Sequence, residues 1–569
     1  MLEIKALNSL RRFLSVGLFV AVATSAGMAQ SAASTGKNTS TPNIWQSQLR
    51  FTAVYSPRRA APISTVNGTR IDGLLRGGKL YLSISDAIML ALENNMDLVA
   101  LRYDLPIADA DVLRARAGGG TVPSFDPTLS FNGQVERFAQ PTGIPLNQNS
   151  TTGNVSYTQG FASGTNLTVG FQNQRLTLNS GGSLLAPELT SGVQVKITQH
   201  LLQGFGWNLN RRTIRIARNN RKAADQAFRN DVISIVSQIK NIYWDLVSAY
   251  DDVKVKQESV DLAKQTLDNT AEQVKVGTLG RVELARWESQ LASAQQDLIT
   301  SQTTLRHQEL LMKTAISRNL SNGVLVDAAV VPADTMSLPP EEPVVKIEEL
   351  INDALQNRPD LNQSRIDLVN RDITKKAQRN AMLPALDVFA SSTTSGNRSD
   401  YWSAFGDAFS AAGHDRVVGM TLTIPLRNRA ARADQMQGEL QYRQAEARIQ
   451  SLQNQIQSDV RDAQYAVQQN RARVEAARKA VAYARESFEA EQAKYSVGMS
   501  TSVSVLQSQR DLTQAQSSLI TAMAAYEKAH VDLDQKTGLT LANNNVDLSD
   551  AESGQVQKAP QVSGVIPAS

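Results

Sequence analysis

The sequence predicts an α+β fold made of two similar halves, each with alternating strands followed by a long antiparallel pair of helices. Three observations predict this fold class. Apolar residues recur every seven positions in long stretches, these stretches reappear 221 residues later (Ile239 to Val460), and segments before them alternate apolar and polar residues. A seven-residue apolar period is typical of a coiled coil. Its reappearance in the same register indicates an internal tandem duplication.

The N-terminus has the pattern of a secretory signal peptide. Residues 1–29 combine three basic residues, the apolar run Phe13–Ala26 and small residues up to Ala29. This pattern predicts cleavage near Ala29. An uncleaved membrane anchor is the alternative, although the apolar run is shorter than a spanning helix requires. Residues 30–80 are rich in Ser, Thr, Pro and Gly, so we expect an irregular N-terminal extension.

Each half then opens with a similar helix. The sequence Asp86–Leu98 matches Glu349–Leu361 at an offset of 263 residues. We therefore place the first structural repeat at 82–338 and the second at 339–540. The tail, 541–569, is polar and low in large apolar residues, and it is predicted to be disordered.

Alternating segments precede the long helices and are predicted to be half-buried strands. They lie near residues 131–136, 166–172, 193–198 and 418–424. Two interpretations fit them: a membrane barrel, with the apolar face toward lipid, or a soluble sheet packed on a core. The offsets of 263 and 221 imply an insert of about 40 residues in the first half, including Tyr157–Leu178. An extra hairpin would account for it, but its place relative to a membrane stays open.

The seven-residue period defines four long helices. It covers two segments in each half: Val232–Val274, Leu284–Met312, Val460–Tyr495 and Val505–Leu533. The first helix, over about residues 208–275, would be about 100 Å long at about 1.5 Å per residue. A globular domain has no use for such a helix, so it either bridges a wide space or forms a filament.

Composition argues against several functions. The net charge of +4 is too small to indicate nucleic-acid binding. The chain contains no cysteine, and its four histidines lack metal-ligand spacing. No phosphate-binding loop and no acid–base or nucleophile constellation is visible. We therefore expect no catalytic residues, no cofactor and no bound metal, and the protein is not expected to be an enzyme.

The whole pattern resembles the outer membrane factor family, the TolC-like outer membrane efflux proteins, over about residues 82–540. The most specific resemblance lies in the turns between paired helices, Val274–Leu284 and Tyr495–Val505. Both contain a Val-Gly dipeptide like that of the family's periplasmic turns, followed by Thr in the first turn. Gly277 and Gly498 suit a point where the chain reverses direction.

The resemblance implies a homotrimer. In the family, three protomers each give four strands to a twelve-stranded barrel in outer-membrane lipid, and the helices continue as a coiled-coil tunnel through the periplasm. A periplasmic adaptor docks on the helical tips and links the tunnel to an inner-membrane transporter. Independently of the family, strands in lipid require oligomerisation here, because an open sheet edge is not tolerated there. The expected location is the outer membrane of a Gram-negative-type bacterium, extending into the periplasm.

The same resemblance implies two sets of functional residues. Adaptor docking is expected at the exposed turn residues, namely Val276, Gly277, Thr278, Leu279, Val497, Gly498, Met499 and Ser500. In the periplasmic gate, Tyr495 matches a family tyrosine, and Glu283 matches a family acid in charge. Ser500 replaces a family arginine, and Ser504 and Gln507 replace the two acids that ring the pore. These differences predict a less acidic constriction and a weaker salt-bridge lock.

The predicted function is passive export through an outer-membrane channel of a tripartite efflux or type I secretion system. A periplasmic coiled-coil adaptor is the main alternative, but that class has one hairpin flanked by halves of a lipoyl domain. A cytoplasmic coiled-coil scaffold is disfavoured by the signal peptide. The sequence does not identify the exported molecule.

Overall fold

The computed structural model describes residues 57, 59–60, 62–119, 124–140, 146–178, 187–277, 279–321, 323–340, 345–410, 413–556 and 566–567. The chain divides into two units, residues 1–64 and 65–569, and the elements below all belong to the second. The predicted signal peptide, 1–29, lies outside the described residues.

The first half contains a small N-terminal lobe, a run of long strands and a pair of long helices. In chain order its elements are α1 (Thr69–Leu74), β1 (Leu75–Arg76), β2 (Lys79–Leu82), α2 (Ile84–Asn94), α3 (Met96–Leu101), α4 (Asp104–Arg116), β3 (Thr128–Gln140), β4 (Leu146–Gly160), β5 (Thr165–Leu178), β6 (Glu188–His200), α5 (Trp207–Asn210), α6 (Arg212–Lys275), α7 (Arg281–Ile316) and α8 (Gly323–Asp327).

The second half repeats the order of helices, strands and paired long helices. The linker between the halves contains β7 (Ala329–Pro332) and β8 (Asp334–Thr335). The later elements are α9 (Ile347–Asn357), α10 (Pro359–Ala381), β9 (Ala385–Arg398), α11 (Tyr401–Ser410), β10 (His414–Thr423), α12 (Arg429–Ser496), α13 (Ser502–Thr537), α14 (Thr540–Asn543), α15 (Leu548–Ser553) and β11 (Ile566–Pro567). The internal tandem duplication stays a prediction, and this order of elements agrees with it.

Local sequence explains where the front helices begin and end. Ser83 caps α2, because its side chain accepts a hydrogen bond from the Asp86 backbone amide in a capping box. Pro359 occupies the first turn of α10, where its missing amide hydrogen costs nothing. The helix ends at Ala381, three residues before Pro384, and the chain then enters β9.

The long strands form one antiparallel sheet, here called the large sheet. Its order, within the described residues, is β10-β9-β6-β5-β4-β3, so β3 and β10 are its two edges. The insert of the first half is now defined: it supplies the hairpin β4–β5, which pairs with β3 on one side and β6 on the other. The described part of the sheet thus contains six strands, two more than the four per protomer that the family resemblance implies for the barrel.

The four predicted long helices are present, and the seven-residue period marks their buried stripe. Helix α6 has 64 residues and α12 has 68, while their partners α7 and α13 have 36 each. Every residue of the four predicted segments at the seven-residue spacing is buried or half-buried. The longer helices extend beyond their partners, and there α4 and α10 pack against α6, while α10 also packs against α12. One boundary differs: a short helix, α5, precedes α6, which begins at Arg212 rather than near residue 208.

The described parts of two regions expected to be irregular contain helices and strands. In the predicted extension, α1 places Ile71 in the core, and Leu80 of β2 is fully buried. In the predicted tail, Leu541, Ala551 and Val556 join the core cluster of the N-terminal lobe. Both segments are too short and too polar overall to show helical periodicity, and contacts with distant residues stabilise them. Residues 30–56 and 557–565 of these two segments lie outside the described residues.

Strands β4 and β9 and helix α11 lie in none of the four segments that the alternation marks. No helix in the described residues is long and apolar enough to cross a bilayer.

A buried hydrogen-bond network ties α6 to the N-terminal lobe and to the linker between the halves. The Tyr243 hydroxyl lies 2.7 Å from Asp334 Oδ2 and 3.1 Å from the Leu82 carbonyl oxygen. The same Asp334 oxygen accepts a hydrogen bond from the Ile84 backbone amide at 2.7 Å. Burial, followed by the charge of Asp334, raises the pKa of Tyr243, so the hydroxyl stays a donor.

Replacing Tyr243 by Phe should destabilise the protein by about 1–3 kcal/mol, because the buried Asp334 carboxylate loses a donor. Thermal unfolding in detergent measures the effect as a lower midpoint than wild type. Tyr81, which is exposed on β2, provides the control, and Tyr81→Phe should leave the midpoint unchanged. Equal midpoints for Tyr243→Phe and wild type would show that the network contributes little.

A second buried group gives stability a pH dependence. Burial raises the pKa of Glu527 from its usual 4.5 to about 7, against the opposing effect of Lys240. The Lys240 ammonium itself lies 3.6 Å from Asp534 Oδ2 and 3.1 Å from Asn544 Oδ1. Burial also lowers the pKa of Lys240. Burial therefore disfavours the charged form of both Glu527 and Lys240.

Between pH 4.5 and about 7 the folded protein keeps the Glu527 proton while the unfolded chain releases it. Stability should therefore fall as pH rises through this window and level off above it. Glu527→Gln should remove this fall and raise the unfolding midpoint at pH 8, whereas Glu486→Gln, on the exposed side of α12, should not. A wild-type pH profile retained in Glu527→Gln would contradict the assignment.

Candidate functional site

The two long hairpins end in turns built on the same backbone conformation. Gly277 follows α6 with φ +80°, and Gly498 follows α12 with φ +77°. These values favour glycine, and a Cβ at either position would meet no atom within 4 Å. In the second turn the Met499 amide donates to the Lys494 carbonyl at 2.9 Å, which satisfies a carbonyl at the helix end.

The predicted docking residues differ in exposure. Val276, Val497 and Met499 expose 78%, 68% and 79% of their surface, and both turn glycines are exposed as well. Leu279 and Ser500 are half-buried, and the Ser500 hydroxyl donates to Glu491 Oε2 at 2.6 Å. Thr278 lies outside the described residues. The turns therefore present a small apolar surface that no described residue covers.

An apolar cluster directly behind the turns joins the two hairpins. Trp287 of α7 is buried against residues from the second hairpin, and the cluster contains Phe488, Val505, Leu506 and, partly buried, Leu262, Leu267, Tyr495 and Leu512. All four long helices contribute to it. The two tips are consequently one packed unit rather than two independent ends.

A polar link beside this cluster connects α7 to α13. Arg286 Nη1 donates to both carboxylate oxygens of Glu283, at 2.8 and 3.0 Å, and lies 3.1 Å from Ser502 Oγ. The Ser502 hydroxyl also donates to Glu283. The sequence predicted Glu283 but neither of its partners. Ser502 lies 219 positions away and leaves no local signal, and an Arg three residues from a Glu on an exposed helix is too common to indicate a site.

The structure brings together two of the four predicted gate residues. Tyr495 is half-buried in the apolar cluster, and burial, then the charge of nearby Glu283, raises its pKa. In the described residues, Ser504 and Gln507 bond within their own hairpin instead: Ser504 with Thr501, and Gln507 Nε2 with Asp511 Oδ1 at 2.8 Å. Asp511 thus places an acid one helical turn from Gln507.

Among the described residues, no group of three or more His, Asp or Glu side chains is arranged to hold a metal ion.

Comparison with known proteins identifies the class. The profile of the outer membrane efflux protein family matches residues 164–316 and 350–539. The chain belongs to this family of outer-membrane efflux proteins. The predicted family, outer-membrane location and role in efflux are thereby confirmed.

Individual relatives are distant in sequence but similar in fold. Outer membrane protein TolC of Escherichia coli (strain K12) is 22% identical over 380 residues, covering 65% of this chain and 74% of that protein. The Campylobacter jejuni CmeC outer membrane channel superposes with a TM-score of 0.59 at 16% identity, over 88% of this chain and 94% of that one. The open state of the Neisseria gonorrhoeae MtrE outer membrane channel gives 0.57 at 18% identity, over 80% and 89%.

Replacing Glu283 by Gln should loosen the link between the two hairpin tips. Loss of a partly exposed charged hydrogen bond lowers the free energy of local opening by about 1 kcal/mol, so opening should become roughly fivefold more frequent. Hydrogen exchange of the first turn of α13 measures this opening. Glu288→Gln, on the exposed side of α7, is the matched control. Exchange unchanged in Glu283→Gln would show that Arg286 and Ser502 hold the junction without it.

Proposed function

We propose that three copies of this chain form the outer-membrane exit duct of a tripartite export system. One observation carries the proposal: a sheet with one apolar face lies at one end of helices about 100 Å long, and exposed apolar turns lie at the other. Such a molecule suits a duct that spans the periplasm, embeds the sheet in lipid and meets an adaptor at the tips.

Trimerisation is supported by the sheet edges and by the long helices. The outer edges of β3 and β10 have no strand partner among the described residues. Backbone amides and carbonyls in lipid need partners, and a closed barrel supplies them. On α12, several large side chains are exposed, namely Met436, Leu440, Tyr465 and Tyr483. Contacts with neighbouring copies would cover such a surface.

Helix α11 supports the membrane orientation of the large sheet. Its Phe405 and Phe409 rings lie 5.4 and 6.0 Å from the ring of Phe171 on the apolar face. Trp402 and Phe409 nevertheless expose 73% and 63% of their surface. Aromatic rings are enriched where membrane proteins cross the lipid–water interface. In the proposed duct, α11 lies against the outer surface of the barrel at that level.

Transport through the duct is passive, and the energy comes from an inner-membrane transporter joined through a periplasmic adaptor. The adaptor docks on the apolar turns, with Val276, Val497 and Met499 as its main contacts. Behind them, Glu283, Arg286 and Ser502 hold the two hairpins of one copy together, while Tyr495 lies at the same level. We place the periplasmic gate at this level, with Ser504, Gln507 and Asp511 nearest the pore.

Gly498→Trp and Gly277→Trp should abolish export, because a bulky side chain at the turn blocks adaptor docking and strains the backbone. Cargo export from cells, measured beside heat-stable trimer on a gel, tests this. Gly78→Trp is the matched control, since Gly78 has φ +77° and equally open surroundings in the β1–β2 turn. Normal export by both tip variants, with the trimer intact, would remove the docking assignment.

A further inference from the structure

The inserted hairpin, β4–β5 (residues 146–178), is continuous with the rest of the large sheet. Its two strands pair with each other from Gln148 to Gly160 and with both flanking strands over comparable lengths. The described strands of the large sheet have 10 to 15 residues. A bilayer-spanning strand needs about 9–11 residues, so every strand is long enough.

The inserted strands carry the same two faces as their neighbours. Residues directly opposite each other on paired strands lie on the same face. The registers therefore place the apolar residues of all six strands on a single face, where β4 contributes Val155 and Tyr157 between the less apolar Thr151, Gly153 and Gln159. The apolar residues of this face are Leu129, Phe131, Val135, Val155, Tyr157, Leu167, Val169, Phe171, Val193, Val195, Ile197, Leu386, Val388, Ala390, Val418, Met420 and Leu422. The other face is mainly polar, including Ser130, Asn132, Gln134, Asn154, Ser156, Thr168, Gln172, Gln194, Lys196, Thr198, Ser391, Thr393 and Thr421.

The apolar residues of the six strands form a band across the sheet, here called the apolar band. From strand to strand the centre of this band shifts along the strand direction, as the tilted strands of a barrel require. Leu129 of β3 is in register, through Tyr157, Val169, Val195 and Ser392, with Arg416 of β10. The band centre lies three residues beyond Leu129 on β3 and four beyond Arg416, at Met420, on β10.

Each displacement runs toward the C-terminus of its own strand. Because β3 and β10 are antiparallel, the two displacements point in opposite directions, and the band shifts by about seven residues over the five steps from β3 to β10. With about 3.3 Å per residue and about 4.8 Å between strands, the strands tilt by about 45° from the band normal. Membrane barrels have strand tilts of about 35–45°. The bands of β4 and β5 lie at intermediate levels, as members of the same tilted series would.

We infer that the inserted hairpin is part of the membrane-embedded barrel, so that three copies close a barrel of eighteen strands rather than twelve. This inference rests on the proposed function. An even number of strands per copy makes β10 of one copy antiparallel to β3 of the next, so the ring closes with unbroken hydrogen bonding. Barrel diameter grows roughly linearly with strand number, so the exit is about one and a half times as wide as that of a twelve-stranded barrel.

The polar face of the inserted strands then lines the lumen, beside that of the other strands. Barrels of about 16–18 strands leave an aqueous channel, whereas small barrels are filled by side chains. The insert therefore provides a wide, polar exit for hydrophilic or bulky cargo.

Spin labels on the inserted strand test its place in the barrel, and the natural chain contains no cysteine to interfere. Val155→Cys and Asn154→Cys, adjacent on β4, are labelled in protein reconstituted in phosphatidylcholine vesicles. We expect Val155 to be more accessible to oxygen, which partitions into lipid, and Asn154 to an aqueous nickel chelate. Val195→Cys and Gln194→Cys on β6 form the matched control pair.

The two pairs separate the failure of this inference from that of the proposed function. If the β6 pair shows the lipid and water pattern and the β4 pair is aqueous at both positions, the insert lies outside the barrel. The inference is then wrong and the channel assignment survives. If the β6 pair also lacks the pattern, the sheet is not embedded in lipid and both fail.

Cysteine cross-linking between copies identifies the strand that meets β10 of the next copy. If the band shifts by the same amount from β10 of one copy to β3 of the next, Thr421 of β10 lies nearest Asn132 of β3. Thr421→Cys combined with Asn132→Cys should therefore yield disulfide-linked trimers, with weaker linkage for Ser130→Cys or Gln134→Cys. Thr168→Cys or Gln172→Cys on β5 should give none with Thr421→Cys. Linkage through β5 and not β3 would mean that β3 and β4 lie outside a twelve-stranded barrel, which overturns the inference.

Discussion

The unpaired edges of the large sheet impose the main constraint on this molecule. The outward-facing amides and carbonyls of β3 and β10 find no strand partner in the described part of the chain. In water such edges invite aggregation, and in lipid each unpaired group costs several kcal/mol. One face of the same sheet is largely apolar, and much of it is exposed in a single copy. Closure with other copies in a membrane satisfies both requirements together.

This constraint extends from the sheet to the helices. Strand β6 leads through α5 into α6, and β10 leads within six residues into α12. A closed ring of sheets therefore starts the long helices from a ring, and their apolar seams pair them into hairpins. At the far end, Trp287 and its cluster pack the two tips of one copy into a unit. The docking surface is thereby positioned by packing within the copy and by closure between copies.

The sequence was informative wherever a period extended over many residues. The seven-residue seams and the turn glycines, Gly277 and Gly498, were located correctly because they depend on local geometry. Short elements were missed: the tail helices α14 and α15 are stabilised by burying Leu541 and Ala551 in the core of the N-terminal lobe, and no local pattern reveals such a contact.

Pairing across the chain was equally hidden from the sequence. Glu283 was predicted through a family resemblance, but its bond to Ser502 exists only because α7 and α13 lie side by side. The place of β4 and β5 in the sheet was hidden for a related reason. Alternation in a single strand fits lipid or a soluble core equally well, and only the registers show that the apolar residues of β4 and β5 continue those of β3 and β6.

Electron cryomicroscopy of the full chain in lipid nanodiscs tests the central claim most directly. The account predicts a three-fold particle in which β10 of each copy is hydrogen-bonded to β3 of the next, with the apolar face toward the lipid. A particle with a free sheet edge in the bilayer, or with the large sheet packed on a soluble core outside it, would contradict the account.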